Sequence, residues 1–412
     1  MQDVPSTHYR WVIVGILWLV HVLSFLNFSS LGILAPFFME DLSLSSAQVG
    51  LFLSAVSIGA CLSQVPAGLV TDRVSVRLIL PLAIGGMAVF ISLFSLSSSY
   101  VCALMVLMVY GLASGAISPP ASKSIMDWFP PLGRATAMGL KQTGVNFGGI
   151  IAGVLLPFLA LNFTWRRGLL MVGVAEAACA VLIYRLMKEP PVKIRSQLSS
   201  FDWKNVWRVV LNRNILILAG VDFFFFAGQF CFSAYLTLFL TREAGFSVVQ
   251  AGYFFALAYL TGAMARIFWS LISDYFFGGR RKGILLFITW MEVVSSSALT
   301  LTSFFPALSK FLLLIILVFG MSGIGWNAIY LIILGEAAGE ESTGLATATG
   351  FFFGFLGSLI CPPLFGYIVD QTGMYGYGWM FLTFCAAAIL LLLSFFHEKK
   401  PGNENGSLAT SS

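Results

Sequence analysis

The sequence carries little charge. Only 10% of its 412 residues are Asp, Glu, Lys or Arg, whereas a soluble domain has about 25%, and 58% of its residues are hydrophobic. No soluble fold can bury that much apolar surface, so the composition excludes a soluble protein and predicts one that is embedded in lipid. Twelve helical spans of about 20 residues would use about 240 residues, which leaves short loops and no room for a soluble catalytic domain.

Several motifs of enzymes and pumps are also missing. The sequence contains no Walker-type phosphate-binding loop, no HExxH and no GxSxG, so we expect neither ATP-driven transport nor enzyme chemistry. Its six cysteines lack CxxC or metal-site spacing, which predicts free thiols, no metal and no cofactor. The net charge of +5 is modest for a membrane protein, and we expect no nucleic-acid partner.

Long apolar runs predict twelve membrane-spanning helices, because backbone groups in lipid must satisfy their own hydrogen bonds. We place the runs near residues 11–36, 47–70, 77–97, 100–122, 135–160, 168–187, 214–241, 247–272, 283–303, 309–335, 343–369 and 375–397. The fold class is therefore predicted to be all-α and integral to a membrane.

A polar segment divides these spans into two sets of six. We predict an N-terminal six-helix bundle at 1–187, a linker at 188–213 with room for a short amphipathic helix, a C-terminal six-helix bundle at 214–397 and a tail at 398–412. We expect the chain to act as a monomer.

The lysines and arginines predict the orientation. Seventeen of the 23 fall on the side of the two termini, four fall on the other side, and two lie within spans. Because cytoplasmic loops carry the excess of positive charge, both termini are predicted to be cytoplasmic, in a plasma membrane or the inner membrane of a bacterium.

The two halves of the chain repeat each other. Asp72 lies at the end of span 2, and Asp274 lies 202 residues later at the end of span 8, each just ahead of a basic cluster. Spans 5 and 11 share a pair of glycines four residues apart, at Gly144-x3-Gly148 and at Gly350-x3-Gly354. Parallel repeats of six spans are a transporter architecture.

The loop after span 2 resembles the signature of the major facilitator superfamily, Gly-x3-Asp-Arg-x-Gly-x-Arg. Gly68, Asp72, Arg73 and Arg77 match it, and Ser75 stands where glycine is usual. The resemblance implies two six-helix bundles, related by a pseudo-two-fold axis, that rock about a site at the middle of the membrane. It also implies that spans 1, 4, 7 and 10 line the cavity and that spans 2, 5, 8 and 11 form the bundle interface.

A second stretch is similar to the organic-anion and sugar-phosphate members of that family. It comprises Pro119-Pro120-Ala121-Ser122-Lys123 and Asp127-Trp128-Phe129-Pro130. The resemblance covers nearly the whole chain and is more specific for the superfamily than for a substrate.

The signature loop is predicted to be a conformational latch formed by Gly68, Asp72, Arg73, Arg77 and Asp274. Gly68 would permit a close approach of helices, and Asp72 would accept hydrogen bonds from exposed amides at a neighbouring helix N-terminus. The alternative is that these charges only set the topology.

Two cations lie deep inside predicted spans, where a charge costs about 2.5–3.5 kcal/mol. Lys141 is in span 5 and Arg266 is at a similar depth in span 8. Because the resemblance makes these spans neighbours, we expect the two cations to bind an anionic substrate, and the arginine fork suits a carboxylate. The alternatives are that both side chains snorkel to the surface or pair with acids. Helical spacing, the family's cavity helices and the repeat suggest further substrate-binding residues: Gln142, Asn146, Tyr259, Asn27, Gln229, Trp326 and Asn327.

Asp222 in span 7 and His21 in span 1 are candidates for proton coupling. They lie 201 residues apart, at comparable positions in the two halves, and both side chains can carry a proton. The alternative for Asp222 is that it neutralises Arg266. The alternative for His21 is a packing role.

These features predict a secondary active transporter that moves a small organic anion, a carboxylate by its binding chemistry, in symport with protons. Its partners would be the anion, protons and the lipid bilayer. An efflux antiporter for drugs or metabolites, an anion exchanger and a non-transporting membrane sensor remain as alternatives. The absence of a soluble output domain from the sequence argues against the sensor.

Overall fold

The computed structural model describes residues 9–189, 203–276, 281–339 and 342–398, and in these ranges it contains helices and no strand. Twelve helices are long and apolar enough to cross a membrane, which confirms the predicted fold class. Their bounds are Tyr9–Ile33 (span 1), Ser46–Arg73 (span 2), Val76–Leu96 (span 3), Tyr100–Gly115 with Ser118–Trp128 (span 4), Pro131–Phe163 (span 5), Trp165–Leu186 (span 6), Arg213–Arg242 (span 7), Val248–Phe276 (span 8), Arg281–Phe304 (span 9), Pro306–Ala338 in four segments (span 10), Thr343–Thr372 (span 11) and Tyr375–Phe395 (span 12).

Local sequence sets where several spans begin and end. Ser45 and Gln48 form a capping box at the start of span 2, and Asn212 accepts two backbone N–H groups at the start of span 7. Span 11 stops at Gly373, which has a φ of +72° that favours glycine. Within the predicted linker a short helix covers Trp203–Val210, while residues 190–202 lie outside the described ranges. The exact bundle boundaries stay a prediction.

The two bundles pack in equivalent ways. Span 1 lies along span 5 in the first bundle, and span 7 lies along span 11 in the second. Spans 2 and 11, spans 5 and 8, and spans 1 and 7 make the main contacts between the bundles. This arrangement confirms the expected pair of pseudo-symmetric bundles and places spans 2, 5, 8 and 11 at their interface.

The bundles touch each other at one end. We call the side on which span 1 begins and span 12 ends the terminal side, and the opposite side the far side. On the far side, Gly153 and Gly252 bring spans 5 and 8 so close that a methyl group on either would collide with the other's carbonyl. Gly50 packs in the same way against Pro362 of span 11.

On the terminal side the same interface helices are apart. Gly68 of span 2, Gly139 of span 5 and Gly344 of span 11 have no atom within 4 Å of where a side chain would start. The close helix approach predicted at Gly68 is therefore not present in this conformation. A cleft between the bundles opens toward the terminal side and is closed at the far side.

A carboxylate fastens the far side. The two oxygens of Asp370, at the end of span 11, accept hydrogen bonds from the backbone N–H groups of Ser46 and Ala47, each at 2.8 Å. These groups are the unpaired donors at the N-terminus of span 2, where negative charge is favoured. Deeper along the same helix pair, the Ser54 hydroxyl donates to the Leu359 carbonyl at 2.6 Å. Sequence analysis did not identify this far-side latch.

Replacing Asp370 with Asn is expected to weaken closure of the far side by about 1–2 kcal/mol, a five- to thirtyfold change in population, because an amide can satisfy only one of the two donors. Labelling of a cysteine placed at Ser54, in a background without the native cysteines, measures this opening in detergent. Asp41→Asn is the matched control, since Asp41 pairs with Arg166 at 2.8 Å within the first bundle. Equal labelling in the wild-type and Asp370→Asn backgrounds would contradict the latch.

Candidate functional site

Span 10 is irregular at its centre. Its first α-helical segment ends at Phe319, a π-helical turn covers Gly320–Ile324, and a new helix begins at Asn327. Three glycines in this stretch weaken the helix, and π turns often mark functional sites. Side chains from span 8 reach two backbone carbonyls of this irregular turn. Trp269 donates from Nε1 to the Met321 carbonyl at 2.9 Å.

Arg266 approaches the second of these carbonyls, that of Ile324. Its Nη2 lies 3.5 Å from the carbonyl oxygen of Ile324, and its Nε is buried without a hydrogen-bond partner. Among the described residues, no carboxylate lies within ion-pair distance of this guanidinium. The side chain is partly buried and its charge is not neutralised, so neither acid pairing nor full exposure accounts for it.

Lys141 is buried in the first bundle. Only 4% of the residue is exposed, and its Nζ lies 3.3 Å from the hydroxyl of Ser122 in span 4. No acid partner is found for it in the part of the chain that the structure describes. The side chain therefore does not snorkel to the surface, and it makes no contact with Arg266 in the other bundle.

The register of spans 5 and 8 brings Gln142 to the level of Arg266. The spans run antiparallel, with Gly153 opposite Gly252 and Ala256 and with Gly149 against the ring of Tyr259. Two further turns toward the terminal side on each helix lead to Gln142 and Arg266. Gln142 is partly exposed at this level.

Asn146 lies on the same face of span 5, between Gly149 and Gln142. It is fully buried, and both atoms of its amide lack a partner among the described residues. Since a buried unpaired amide costs about 1–3 kcal/mol, a polar substituent that reached this group would recover that cost.

Tyr259 joins three spans at the base of the cleft. Its hydroxyl lies 2.5 Å from the hydroxyl of Ser233 in span 7, and its ring lies 5.3 Å from that of Phe25 in span 1. Arg266 and Gln229 are close enough to interact electrostatically with the tyrosine hydroxyl. Arg266 and Gln229 therefore both lie near the Tyr259 hydroxyl.

Asp222 and Arg266 do not form a pair, so the alternative that Asp222 neutralises Arg266 is wrong. Asp222 is fully buried, and both of its carboxylate oxygens lack a hydrogen-bond partner among the residues that the structure describes. The carboxylate instead packs where spans 7 and 11 cross, against Gly354, with Tyr330 of span 10 nearby.

His21 occupies the matching position in the first bundle. It packs against Gly144 of span 5, and its Nδ1 lies 2.8 Å from the Leu17 carbonyl one turn earlier in its own helix. Each candidate proton carrier thus faces a glycine of the helix that its own span packs against. The structure does not bring Asp222 and His21 together.

Two predicted substrate-binding residues are corrected by the structure. Asn27 does not line the cleft, because it is buried within the first bundle and donates from Nδ2 to Oε1 of Glu176 at 2.8 Å. Trp326 is also fully buried, with its ring stacked 4.5 Å from that of Phe225. Both residues support the wall of the cleft from behind. Asn327, the next residue in span 10, is partly exposed.

Replacing Asn27 with Leu is expected to destabilise the first bundle by about 1–3 kcal/mol, because Glu176 then loses the donor to its Oε1. Thermal unfolding in detergent, followed by intrinsic fluorescence, should show a lower melting temperature. Glu176→Gln keeps an acceptor for Asn27 and should cost less. Equal melting temperatures for Asn27→Leu and the wild type would show that the hydrogen bond between Asn27 and Glu176 does not stabilise the fold.

The structure adds a set of aromatic residues that sequence analysis did not select. Their rings are partly exposed and form a continuous row across the cleft. Phe28 of span 1 contacts Phe230 of span 7 at 4.8 Å between centroids, and Phe230 stacks on Phe226 at 5.4 Å. Phe226 in turn contacts Phe351 and Phe355 of span 11 at 6.1 and 5.6 Å. The i and i+4 spacing of phenylalanines in spans 7 and 11 is the signal that could have identified them.

The predicted terminal-side latch is only partly visible. Arg77 packs its guanidinium 5.3 Å from the ring of Tyr184 in span 6, within the first bundle. Lys123 of span 4 donates to the Thr71 carbonyl at 3.0 Å and caps the end of span 2. The side chains of Asp72 and Asp274 lie outside what the structure describes, so the latch stays a prediction for them and for Arg73.

Twelve spans in two bundles, around a cleft whose cations Lys141 and Arg266 have no acidic partner among the described residues, define a membrane transporter. The profile of the Major Facilitator Superfamily matches residues 17–355 and 223–411, and the chain belongs to this superfamily. Its homologues are membrane transporters and not enzymes, which confirms the expectation that the protein is not an enzyme.

Individual relatives agree with this assignment. The chain is 26% identical to the hexuronate transporter of Bacillus subtilis (strain 168), over 88% of this chain and 89% of the relative. It is 23% identical to the probable galactarate/D-glucarate transporter of the same organism, over 95% and 92%. Among solved structures, a bacterial homologue of the human lysosomal transporter Spinster, in an inward-facing and occupied conformation, matches with a TM-score of 0.76 at 18% identity, over 94% of this chain and 96% of that one.

Proposed function

We propose that the protein is a secondary active transporter that carries a small organic anion, a carboxylate, by alternating access of the cleft to the two sides of the membrane. The observation that carries the proposal is Arg266, a partly buried guanidinium with no acidic partner among the described residues. A cation that is not neutralised by the protein is stabilised when a carboxylate arrives, and its fork can hold both oxygens. The names of the two relatives, which are transporters of sugar acids, support an anionic cargo.

The other predicted residues complete the site in this proposal. Gln142 lies at the level of Arg266 across the cleft, and the Tyr259 hydroxyl lies near Arg266 and near Gln229. Lys141 contributes positive charge from the first bundle. Asn146 offers an unpartnered amide on the face of span 5 that packs toward span 8. Asn327 lies at the start of the last helix of span 10.

We assign proton coupling to Asp222, with His21 as the equivalent group in the first bundle. Asp222 is supported by its burial and by the lack of a partner for its two oxygens among the described residues, since an ionised carboxylate in such a place is far more costly than a protonated one. A carboxyl group whose charge changes where spans 7 and 11 cross could bias the packing of the cavity helix against the interface helix.

The orientation in the proposal follows from the positive charges. With both termini cytoplasmic, in a plasma or bacterial inner membrane, the terminal side faces the cytoplasm and the described conformation is open inward. The far-side latch of Asp370 then closes the outer entrance, and the signature loop of span 2 would fasten the opposite, outward-open state.

Uptake of labelled carboxylates into proteoliposomes, with and without an inward proton gradient, tests this function. We expect gradient-driven accumulation of at least one carboxylate above the level of empty liposomes. Uptake that is unchanged when the gradient is collapsed would exclude proton symport. Flux that requires a second anion inside the vesicles would instead identify an exchanger.

A further inference from the structure

The walls of the cleft differ in chemistry from one side to the other. The row of phenylalanines, Phe28, Phe230, Phe226, Phe351 and Phe355, forms one side. On the other side, where span 8 meets spans 5 and 7, Gln142 and Arg266 are partly exposed, and the buried Asn146, Gln229 and Tyr259 lie behind them.

The exposed edges of the phenylalanine rings face the cleft and not the lipid. Phe28 and Phe230 belong to different bundles and touch each other, so they lie between the bundles. Phe226 contacts Trp326 of span 10 as well as span 11, which places it inside the second bundle's concave face. In contrast, Phe352 is 56% exposed on the next position of span 11, away from Phe226.

Span 7 shows how one helix supplies both sides. Phe226 and Phe230 are one turn apart and share a face, while Gln229 and Ser233 are one turn apart on an adjacent face. The second face points to span 8, because the Ser233 hydroxyl contacts that of Tyr259 at 2.5 Å.

The polar groups close to the rings are either engaged or fully buried. The Nε1 of Trp326 and the carboxylate of Asp222 lack a partner among the described residues, but both residues are fully buried behind Phe226. Asn27 donates to Glu176, and Ser233 bonds with Tyr259 and with the Gln229 carbonyl. A cargo with several hydroxyl groups would lose its hydrogen bonds to water on binding against such a wall. Each hydroxyl left without a partner would cost binding free energy. An apolar body instead gains by covering the exposed rings.

We propose that the cargo is a monocarboxylate with an aromatic or bulky aliphatic body, held with its carboxylate at Arg266 and its body against the phenylalanine row. This inference rests on the proposed function and narrows it, because it distinguishes this cleft from one that would suit a polyhydroxylated sugar acid. Size and apolarity would both contribute to selection, since acetate lacks the body and glucuronate lacks the apolar surface.

The test compares the affinities of phenylacetate, glucuronate and acetate for the purified protein in detergent by titration calorimetry. We expect phenylacetate to bind at least about tenfold more tightly than the other two, since ring-to-ring contact adds to the burial of apolar area. Phe226→Ala and Phe351→Ala should each weaken phenylacetate about tenfold and leave acetate unchanged. Phe352→Ala is the matched control and should leave all three affinities unchanged. Phe226→Leu, which keeps an apolar side chain, should retain the fold and most of the phenylacetate affinity.

The outcomes separate this inference from the proposed function. Tighter binding of glucuronate than of phenylacetate, abolished by Arg266→Gln, would overturn the apolar cargo and keep the anion site. Phenylacetate binding that survives both phenylalanine-to-alanine changes, in variants that melt like the wild type, would also overturn it. Binding of all three anions that is unaffected by Arg266→Gln would remove the proposed function itself.

Discussion

Replacing Arg266 with Gln should lower carboxylate uptake by about 100-fold or more. Removing one partner of a buried ion pair costs about 3–5 kcal/mol, because the remaining charge is left in a poorly solvated site. Arg266→Lys keeps the charge but loses the two-pronged geometry, so it should retain a small part of the activity. The measurement is initial uptake into proteoliposomes of the carboxylate that the wild type accumulates, normalised to the amount of inserted protein.

Arg167→Gln is the matched control for this change. Arg167 is exposed at the start of span 6, so the same loss of one positive charge should leave uptake unchanged. Wild-type uptake in the Arg266→Gln variant would make Arg266 a structural residue. In that case the cargo assignment would have to be withdrawn, while the twelve-span fold would stand.

Asp222→Asn should abolish accumulation driven by a proton gradient and leave exchange of the substrate across the membrane. The amide has nearly the shape of the carboxyl group but cannot carry a proton, and within the described part of the chain Asp222 makes no hydrogen bond that the change would break. The measurement compares gradient-driven uptake with counterflow, in which unlabelled substrate inside the vesicles draws in labelled substrate without a gradient.

Glu292→Gln provides the comparison within the same bundle. Glu292 is also buried, but it lies in span 9, with its Oε1 beside Gly228 of span 7. This change should leave gradient-driven uptake intact. Gradient-driven accumulation by the Asp222→Asn variant at the wild-type level would show that another group carries the proton.

The sequence predicts the membrane spans of this protein because the hydropathy of a segment does not depend on the rest of the chain. Each span is long and apolar, so its existence does not depend on its neighbours. The same reasoning identified Arg266 and Lys141, since a cation in an apolar run stands out without any knowledge of packing. The pairing of spans 5 and 8 came from the family resemblance, and the structure confirms it.

The sequence does not show which side chains and helix ends contact each other. Helical spacing indicates which face Asn27 occupies, but only packing shows that Glu176 lies opposite and turns it away from the cleft. Asp370 reads as an ordinary exposed acid at the end of a span, and only the adjacent N-terminus of span 2 gives it a role. The contact of Arg266 with the Ile324 carbonyl depends on a local π turn, and the spacing of apolar residues in the sequence does not predict such a turn.

The most direct test of the anion site compares the binding of a transported carboxylate with that of its carboxamide, in the wild type and in Arg266→Gln. The two ligands have nearly the same shape and differ in charge. We expect the wild type to bind the carboxylate at least about 100-fold more tightly than the carboxamide. This preference should disappear in Arg266→Gln. Equal affinity of the wild type for both ligands, or an undiminished preference in the variant, would contradict it.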